Sequence, residues 1–232
     1  SYSVTGVQTC ALPIFEGRGE TTPAERLFLV PGRIMWTKNH SLAIQSFRLM
    51  KRRHPRLARY RLVIAGMLDH KSQPYLDALR AEAAGDRAIE FHLSPSDESL
   101  ADLYRRCFAV LFTPFNEDWG IVPLEAMSFS KPVVAVNRGG PRETVVDGVN
   151  GLLAEPEPGD FSAKMAALAL SPEWASALGQ AGPDHVSRFS WSRFVARVDA
   201  AIAEAAESEV ACAETMTSGR ESAVLMNRGG RQ

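Results

Sequence analysis

Two cationic side chains follow the first apolar segment of the chain at a spacing that suits a phosphate group. The apolar segment 27–32 ends in Gly32, and Arg33 and Lys38 come soon after it. Glycine lets the backbone turn sharply after a strand, so both side chains are expected to project from the loop and the next helix start. A guanidinium binds two phosphate oxygens as a fork, and an ammonium acts as a point charge. Gly32, Arg33 and Lys38 therefore predict a diphosphate site, and two solvated surface cations are the alternative.

A second candidate site is a loop that leads into a helix. Gly120 precedes the helical pattern. Pro123 suits the first turn of a helix, because the missing N–H would have no partner there. The free amides of Gly120, Ile121 and Val122, together with the helix dipole, predict a site for an anion.

Two carboxylates lie on either side of this helix start. Glu117 belongs to the loop, and Glu125 follows 8 residues later within the helix. One carboxylate is therefore expected at the loop and the other about one turn down the helix. An acid/base pair of the glycosidase kind is not expected, because a helix-borne glutamate that faces a cleft suits hydroxyl binding. The alternative is a loop whose acidic side chains only complement the helix dipole.

A third loop carries two adjacent glycines. Gly139 and Gly140 follow the apolar segment 132–136, and their lack of side chains would let the backbone approach a ligand closely. A tight turn between a strand and a helix is the alternative. Two further residues indicate structural roles, namely His40 at a helix start beside the cationic loop and Cys107 in buried packing.

Alternating strand and helix signals surround these loops and would position them. Short apolar segments bounded by turn residues predict strands. These segments are 27–32, 60–66, 88–93, 108–115, 132–136 and 151–154. Helical patterns lie between them and continue over 160–207, interrupted by Pro172 and Pro183. Asn39 is expected to cap the first of these helices, and the run that begins at Ser96 indicates the start of the third. Apolar strands that alternate with helices predict the α/β class, with a Rossmann-like, doubly wound parallel sheet. Such sheets bind ligands at the carboxyl ends of their strands, so the three loops should rim one cleft.

The composition narrows the function classes. The chain has 232 residues, of which 45% are hydrophobic and 23% charged, and its net charge is −1. This balance argues against binding of nucleic acid or a membrane surface through the charge of the whole domain. Cys10, Cys107 and Cys212 lie far apart and predict neither a disulfide framework nor a metal site. The apolar runs are far shorter than the roughly 20 residues that span a bilayer. A cytoplasmic globular protein is expected.

The two ends of the chain differ from its middle. Residues 1–21 are expected to be a non-structural leader. The run SVTGVQTCALPI within it resembles a translated sequencing adapter, so the natural chain is expected to continue upstream with other residues. Residues 208–232 are mixed, small and glycine-containing, and they predict a loose tail. The remaining residues, 22–207, have the size of one domain.

Three ordered motifs make the pattern specific. They are PGRIMWTK at 31–38, TPFNEDWGIVPLEAM at 113–127 and KPVVAVNRGGPRETVVDGVNGLLAEP at 131–156. Over about residues 27–200 the chain resembles the C-terminal domain of retaining family 4 glycosyltransferases, which have the GT-B fold. Glu117 and Glu125 match the E-x7-E motif of that family. The second and third motifs are most similar to those of mannosyltransferases.

This resemblance implies a role for each candidate residue. Arg33 and Lys38 would hold the diphosphate of a nucleotide-sugar donor, assisted by the amides at the helix start after Gly120. Glu125 would bind the hydroxyls of the nucleotide ribose, and Glu117 would face the donor sugar. The segment 22–207 would then be a nucleotide-sugar-binding glycosyltransferase domain.

The resemblance also implies the reaction and its partners. A hexosyltransferase would transfer a sugar with retention and without a metal or other cofactor. The donor would be GDP-mannose or a UDP-sugar, with mannose favoured, and the acceptor would be a glycan or a lipid-linked glycan. Acceptor binding would need an N-terminal domain, so the chain alone is expected to be almost inactive, and membrane contact of the full-length enzyme would be peripheral. The alternatives are a related glycogen- or sucrose-synthase-type enzyme and a catalytically silent nucleotide-binding module.

Overall fold

The computed structural model describes residues 24–190 and 192–205 of the chain. The leader predicted at 1–21 and the tail predicted at 208–232 lie outside these residues, so both stay predictions. The chain divides into two compact units, Ser1–Ser187 and Arg188–Gln232. The first unit contains the sheet and the candidate site, and the second contains a helix over residues 192–205.

The first unit is built on one sheet of six strands. The strands are β1 (Leu27–Pro31), β2 (Arg61–Gly66), β3 (Ile89–Leu93), β4 (Ala109–Phe112), β5 (Val133–Val136) and β6 (Gly151–Ala154). Their order across the sheet is β3-β2-β1-β4-β5-β6, and every neighbouring pair runs parallel. This is the strand order of a doubly wound, Rossmann-like sheet, so the fold class predicted from the sequence is confirmed.

Helices connect the strands, because parallel neighbours need crossover connections. These helices are α1 (His40–Arg53), α2 (Gln73–Ala83), α3 (Asp97–Arg106), α4 (Ile121–Ser128) and α5 (Pro141–Thr144). After β6 the first unit ends in α6 (Pro158–Leu170), α7 (Pro172–Gln180) and α8 (Gly182–Val186). Pro172 and Pro183 lie at the first turns of α7 and α8, where proline fits a helix. They separate consecutive helices, as predicted.

Apolar strands and helix faces form the core of this unit. Every residue of β1, β4 and β5 is buried, as expected of central strands that helices cover on both faces. Helix α1 contributes Phe47 and Met50, and α6, which packs against α1, contributes Phe161 and Met165. Burying one such side chain stabilises a fold by about 1.5–3 kcal/mol. This packing holds β1 and β4 side by side and fixes the loops at their ends.

The order of the strands reverses between β1 and β4, and this place is the switch point of the sheet. From β1 the chain proceeds outward to β2 and β3 on one side, and it returns to β4 on the other side. Phe28 pairs with Ala109 and Leu29 with Val110 across this junction. A crevice forms outside the carboxyl ends of strands where the order reverses. The loops after Pro31 and Phe112 therefore border the place where a doubly wound sheet binds its ligand.

The fourth strand is shorter than the sequence predicted. Residues 108–115 were expected to be a strand, but β4 ends at Phe112. Pro114 has no N–H to donate to a ladder. Thr113 instead donates its hydroxyl to the Lys38 carbonyl oxygen at 2.9 Å, and the Phe115 amide donates to the Thr37 carbonyl oxygen at 3.0 Å. The chain leaves the sheet here because it bonds to the loop after β1.

The starts of two helices test the predicted caps. Ser96 caps α3, since its hydroxyl accepts a hydrogen bond from the Ser99 amide at 3.2 Å, as the sequence indicated. The prediction that the side chain of Asn39 caps α1 is wrong. Asn39 has a left-handed backbone, with φ of 50°, and its side chain makes no cap hydrogen bond, whereas a capping residue needs an extended backbone.

Within residues 24–190 and 192–205, no helix is both long and apolar enough to cross a bilayer.

Candidate functional site

The loop after β1 is held closely against the end of β2. Gly32 has a φ of 139°, and its amide donates to the Ala65 carbonyl oxygen at 3.0 Å. A Cβ atom on Gly66 would lie 1.8 Å from the Gly32 carbonyl oxygen, so no side chain fits at Gly66. This contact fixes the direction in which the loop leaves the sheet. Arg33, the next residue, is exposed on the loop.

The backbone around Lys38 is anchored to the loop after β4. Trp36–Lys38 forms a single 3₁₀ turn, and the bonds from Thr113 and Phe115 described above end on this turn. Thr113 is buried, so its hydrogen bond to the Lys38 carbonyl oxygen is shielded from water. The position of Lys38 is therefore set by β4 as well as by β1.

The side chain of Lys38 pairs with Glu117. The ammonium nitrogen lies 2.5 Å from Glu117 Oε2, and the two side chains are 21% and 27% exposed. The family resemblance implies separate roles for these residues, one at a diphosphate and one at a sugar. The structure brings them together at the switch point, where a negatively charged ligand would meet the ammonium and the carboxylate at once.

The start of α4 faces the same crevice. Gly120 has a φ of 76°, and a Cβ atom there would lie 3.0 Å from the ring of Phe112. Glycine is required at this position for both reasons. The first amides of a helix, here those of Ile121 and Val122, have no carbonyl partner within the helix. Together with the helix dipole they favour an anion at this end.

Glu125 lies on α4 and is held by a buried phenol. The Tyr104 hydroxyl donates to Glu125 Oε2 at 2.6 Å. Burial raises the pKa of Glu125, and the hydrogen bond from Tyr104 acts in the opposite direction. Burial and the neighbouring carboxylate raise the pKa of Tyr104 well above its ordinary value, so its hydroxyl remains a donor. The other lone pairs of the carboxylate can accept hydrogen bonds from hydroxyl groups of a ligand.

The paired glycines of the third loop contact protein backbone. A Cβ atom on Gly139 would lie 2.5 Å from the Glu117 carbonyl oxygen, and one on Gly140 would lie 2.1 Å from the Trp119 carbonyl oxygen. The Gly140 amide also donates to the Glu117 carbonyl oxygen at 2.8 Å. The close approach expected here is therefore an approach to the loop that carries Glu117. These glycines position that carboxylate.

A small cavity lies between the ends of β1 and β4. Its lining includes Gly32, Lys38, His40, Phe112 and Val122. At about 30 Å³ it has room for one or two water molecules. A larger ligand in the crevice would reach into it with a single group. The cavity thus joins the cationic loop to the start of α4.

Two other observations concern thiol and metal chemistry in the described part of the chain. Cys107 is fully buried, and burial raises the pKa of its thiol to about 12, so it packs as predicted and is a poor nucleophile. Across residues 24–190 and 192–205 no group of three or more His, Cys, Asp or Glu side chains is arranged to hold a metal ion.

Three residues of the site were not assigned to it from the sequence. Thr113 is the first polar residue after the apolar run of β4, which is a usable signal. Tyr104 looks like any core residue of an amphipathic helix, and nothing in the sequence connects it to Glu125. His40 was assigned only to a helix start, but it lines the cavity.

The chain matches the family described as glycosyl transferases group 1 over residues 17–185. It is 36% identical over 177 residues to the alpha-1,3/1,6-mannosyltransferase ALG2 of Mus musculus, covering 72% of this chain and 43% of that protein. It is 30% identical over 177 residues to a D-inositol 3-phosphate glycosyltransferase of Nocardiopsis dassonvillei, covering 73% and 41%. The chain therefore spans less than half the length of these relatives.

Solved structures share the fold. The C-terminal domain of a glycosyl transferase group 1 family protein, LpcC, from Francisella tularensis aligns with a TM-score of 0.62 and 24% identity, covering 73% of this chain and 88% of that one. Anabaena Alr3699/HepE in complex with UDP and glucose aligns with a TM-score of 0.65 and 23% identity, covering 79% and 48%. These likenesses confirm the predicted fold of a GT-B C-terminal half. By its sequence match over residues 17–185, the chain belongs to the group 1 glycosyl transferase family.

Proposed function

We propose that this chain is the donor-binding half of a retaining hexosyltransferase that uses a nucleotide-sugar donor. The favoured sugar is mannose, with GDP-mannose as the donor, because the mouse relative is a mannosyltransferase. The acceptor is a glycan or a lipid-linked glycan. The residues that bind it lie in the part of the longer relatives that this chain does not match, so the chain alone transfers little or no sugar.

The pairing of Lys38 with Glu117 is the observation on which the proposal rests. It places a cation and a carboxylate 2.5 Å apart at the switch point, beside the start of α4 and the cavity. A sugar diphosphate presents negative oxygens on one side of its scissile bond and neutral hydroxyls on the other. The ammonium and the helix amides suit the negative oxygens. Glu117 suits the hydroxyls of the sugar, and Glu125 suits the ribose hydroxyls on the nucleotide side.

Each candidate residue then has a defined part. Lys38 binds the diphosphate, together with the amides of Ile121 and Val122, and Arg33 reaches it from the exposed loop. Glu125, oriented by the Tyr104 hydroxyl, accepts hydrogen bonds from the ribose. Glu117 turns from Lys38 towards the hydroxyls of the donor sugar.

The chemistry follows from where charge develops. The bond between the anomeric carbon and the diphosphate oxygen breaks, and the electron pair leaves with the diphosphate. Positive charge grows on the sugar ring, which becomes oxocarbenium-like. The acceptor hydroxyl oxygen bonds to the anomeric carbon on the face that the diphosphate leaves, and the hydroxyl proton passes to the departing diphosphate oxygen. Prepositioned cations and amides stabilise the departing diphosphate more strongly in the transition state than in the ground state. Arg33, Lys38 and the helix start supply the positive charge that stabilises the departing diphosphate. We therefore expect transfer without added metal or cofactor.

Location is part of the proposal. We infer that the protein acts in the cytoplasm, where nucleotide sugars are available as donors. Any contact of the full-length enzyme with a membrane would be peripheral and would serve a lipid-linked acceptor.

Calorimetry with the chain tests the donor assignment. GDP-mannose, UDP-glucose and GDP are titrated into the wild type, UDP-glucose because Anabaena HepE has been solved with it. We expect GDP-mannose to bind more tightly than UDP-glucose. Tighter binding of UDP-glucose would overturn the mannose assignment alone, and binding of no nucleotide would overturn the proposal.

A hybrid enzyme tests the transfer step. The chain replaces the matched segment of the mouse mannosyltransferase, and the anomeric configuration of the product is read by NMR with EDTA present. We expect a retained configuration and undiminished activity in EDTA. An inverted product, or activity that returns only with a divalent metal, would contradict the mechanism.

A further inference from the structure

His40 places an unsatisfied ring nitrogen at the candidate site. It is the first residue of the 14-residue helix α1 and is fully buried. Its Nε2 atom has no hydrogen-bond partner, and the residue lines the cavity between β1 and β4 beside Lys38. A buried polar atom left without a partner costs about 1–3 kcal/mol. A site that keeps one is therefore expected to satisfy it with a ligand or a water molecule.

The hydrogen bonds of Tyr75 favour one tautomer of the His40 ring. The His40 backbone amide donates to the Tyr75 hydroxyl oxygen at 3.0 Å, and that oxygen lies 3.4 Å from His40 Nδ1. The amide occupies a lone pair of the hydroxyl, so the hydroxyl proton is free to point at Nδ1. Nδ1 then acts as an acceptor, and the hydrogen of a neutral ring resides on Nε2.

The ring also stays neutral. Burial lowers the pKa of His40 to about 4, and the nearby charge of Lys38 acts in the same direction. The positive end of the helix dipole at the first residue of α1 disfavours a second positive charge as well. At neutral pH the ring therefore presents an N–H donor at Nε2 and not an imidazolium.

The cavity offers that donor little within the protein. Among its lining residues the polar side chains are Lys38, His40 and Thr113. An ammonium cannot accept a hydrogen bond, and the Thr113 hydroxyl is directed to the Lys38 carbonyl oxygen. An acceptor is expected to come from outside, and beside Lys38 an anionic oxygen is favoured.

We propose that the Nε2–H group of His40 donates a hydrogen bond to a diphosphate oxygen of the nucleotide-sugar donor that Lys38 holds. His40 is thus a further donor-binding residue, and Tyr75 is a positioning residue that fixes its tautomer. This inference rests on the proposed function and adds a neutral donor to the cations and amides already assigned.

Two substitutions separate hydrogen bonding from packing. His40→Leu keeps an apolar volume and removes the donor, whereas His40→Gln places an amide N–H near the position of Nε2. His70→Leu, at an exposed histidine, is the matched control. Affinities of GDP-mannose and inorganic pyrophosphate are measured by calorimetry, and thermal unfolding confirms that each variant is folded.

We expect His40→Leu to weaken both ligands about tenfold, as the loss of one hydrogen bond to a charged group predicts. His40→Gln should retain most of the affinity, and His70→Leu all of it. If His40→Leu bound both ligands as tightly as the wild type, the inference would be overturned. The unsatisfied Nε2 atom would then have a water molecule or no partner, and not the donor. If the wild type bound neither GDP-mannose nor pyrophosphate, the proposed function would be overturned instead.

The tautomer of His40 in the wild type provides a second test. Long-range ¹H–¹⁵N NMR of the histidine rings, assigned with His40→Gln, reports which nitrogen is protonated. We expect the Nε2–H tautomer, with an Nε2 resonance that moves on addition of pyrophosphate, and Tyr75→Phe should mix the tautomers. An Nδ1–H tautomer in the wild type, or an unmoved Nε2 resonance at saturating pyrophosphate, would contradict the inference.

Discussion

The ammonium of Lys38 and the carboxylate of Glu117 are 2.5 Å apart across the switch point of the sheet, although 79 positions separate them in the sequence. The pair connects the loop after β1 with the loop after β4. Both side chains keep some exposure, so a ligand can reach them. A bound diphosphate would compete with Glu117 for Lys38 and free the carboxylate for the sugar.

Loss of the Lys38 ammonium should weaken donor binding. We expect Lys38→Met to reduce the affinity for GDP-mannose by about tenfold to a hundredfold, because a hydrogen bond between charged groups is lost. In the hybrid enzyme, Lys38→Ala should lower turnover by more than about a hundredfold. Lys71→Met, at an exposed lysine after β2, is the control in calorimetry. Near wild-type turnover in Lys38→Ala would remove the basis of the proposed function.

The ion pair should also contribute to stability. A double-mutant cycle with Lys38→Met and Glu117→Gln compares the free energies of unfolding in urea. We expect a coupling energy of about 1 kcal/mol, at the upper end for surface pairs because both side chains are largely covered. High salt should reduce it. A coupling energy near zero would mean that the two groups are not paired in solution.

The contact of Gly140 with Trp119 should tolerate no side chain. Gly140→Ala would place a Cβ atom 2.1 Å from a backbone oxygen, and a rigid loop cannot yield that much. We expect a loss of about 2–4 kcal/mol in the free energy of unfolding, together with weaker donor binding. Gly159→Ala is the control, since its new Cβ atom would meet only the Glu157 side chain at 3.5 Å. Equal stability of the two variants would contradict the packing described.

The phenol of Tyr104 should matter most when Glu125 is ionised. Tyr104→Phe removes the donor at 2.6 Å, and the pKa of Glu125, which burial already raises, should rise further. We expect the free energy of unfolding to fall by about 1–2 kcal/mol at pH 7. The fall should be smaller at pH 4, where the carboxyl is protonated. Tyr60→Phe, at a buried tyrosine packed against Phe28, is the comparison. A loss that does not depend on pH would indicate that only packing was changed.

His40 should make the fold sensitive to acid. Its pKa is about 4 in the folded chain against 6.5 ordinarily, so between these values the unfolded chain binds more protons. The contribution of neutral His40 to the free energy of unfolding is therefore complete above pH 6.5. It is lost as the pH falls towards 4, and the loss is about 3 kcal/mol at most.

Comparison of variants isolates this contribution. The free energy of unfolding is measured from pH 7 to pH 4 for the wild type, His40→Gln and the control His70→Gln, whose histidine is exposed. His40→Gln should show a shallower decline than the other two. Parallel declines in all three would show that folding does not lower the pKa of His40.

The fold could be predicted from the sequence to a large extent. Short apolar runs bounded by turn residues located all six strands, and in the central strands burial on both faces requires such runs. The strand at 108–115 was predicted too long, because nothing local reveals that Thr113 and Phe115 bond to the loop after β1. Asn39 was predicted to cap α1, but its left-handed backbone results from the turn that precedes it.

The site was predictable as a set of residues and less so as an arrangement. Loop position located Arg33, Lys38 and the start of α4, because parallel strands bring their ends to one edge. The partner of Glu125 could not be predicted, since Tyr104 lies on α3 and Glu125 on α4, and no sequence pattern indicates that these two side chains meet. The roles assigned to these residues at a bound donor stay predictions.

The loop that carries Glu117 is bonded at two points. The Phe115 amide donates to Thr37 in the turn Trp36–Lys38, and the Glu117 carbonyl accepts from the amide of Gly140 in the loop after β5. The conformational entropy of ordering this loop is therefore lost when the chain folds and not when a ligand arrives. A donor would meet a preorganised surface, and selectivity among sugars would depend on side chains around a rigid backbone. Exchanging Trp119 or Asp118 should then alter which sugar is accepted without altering the shape of the crevice.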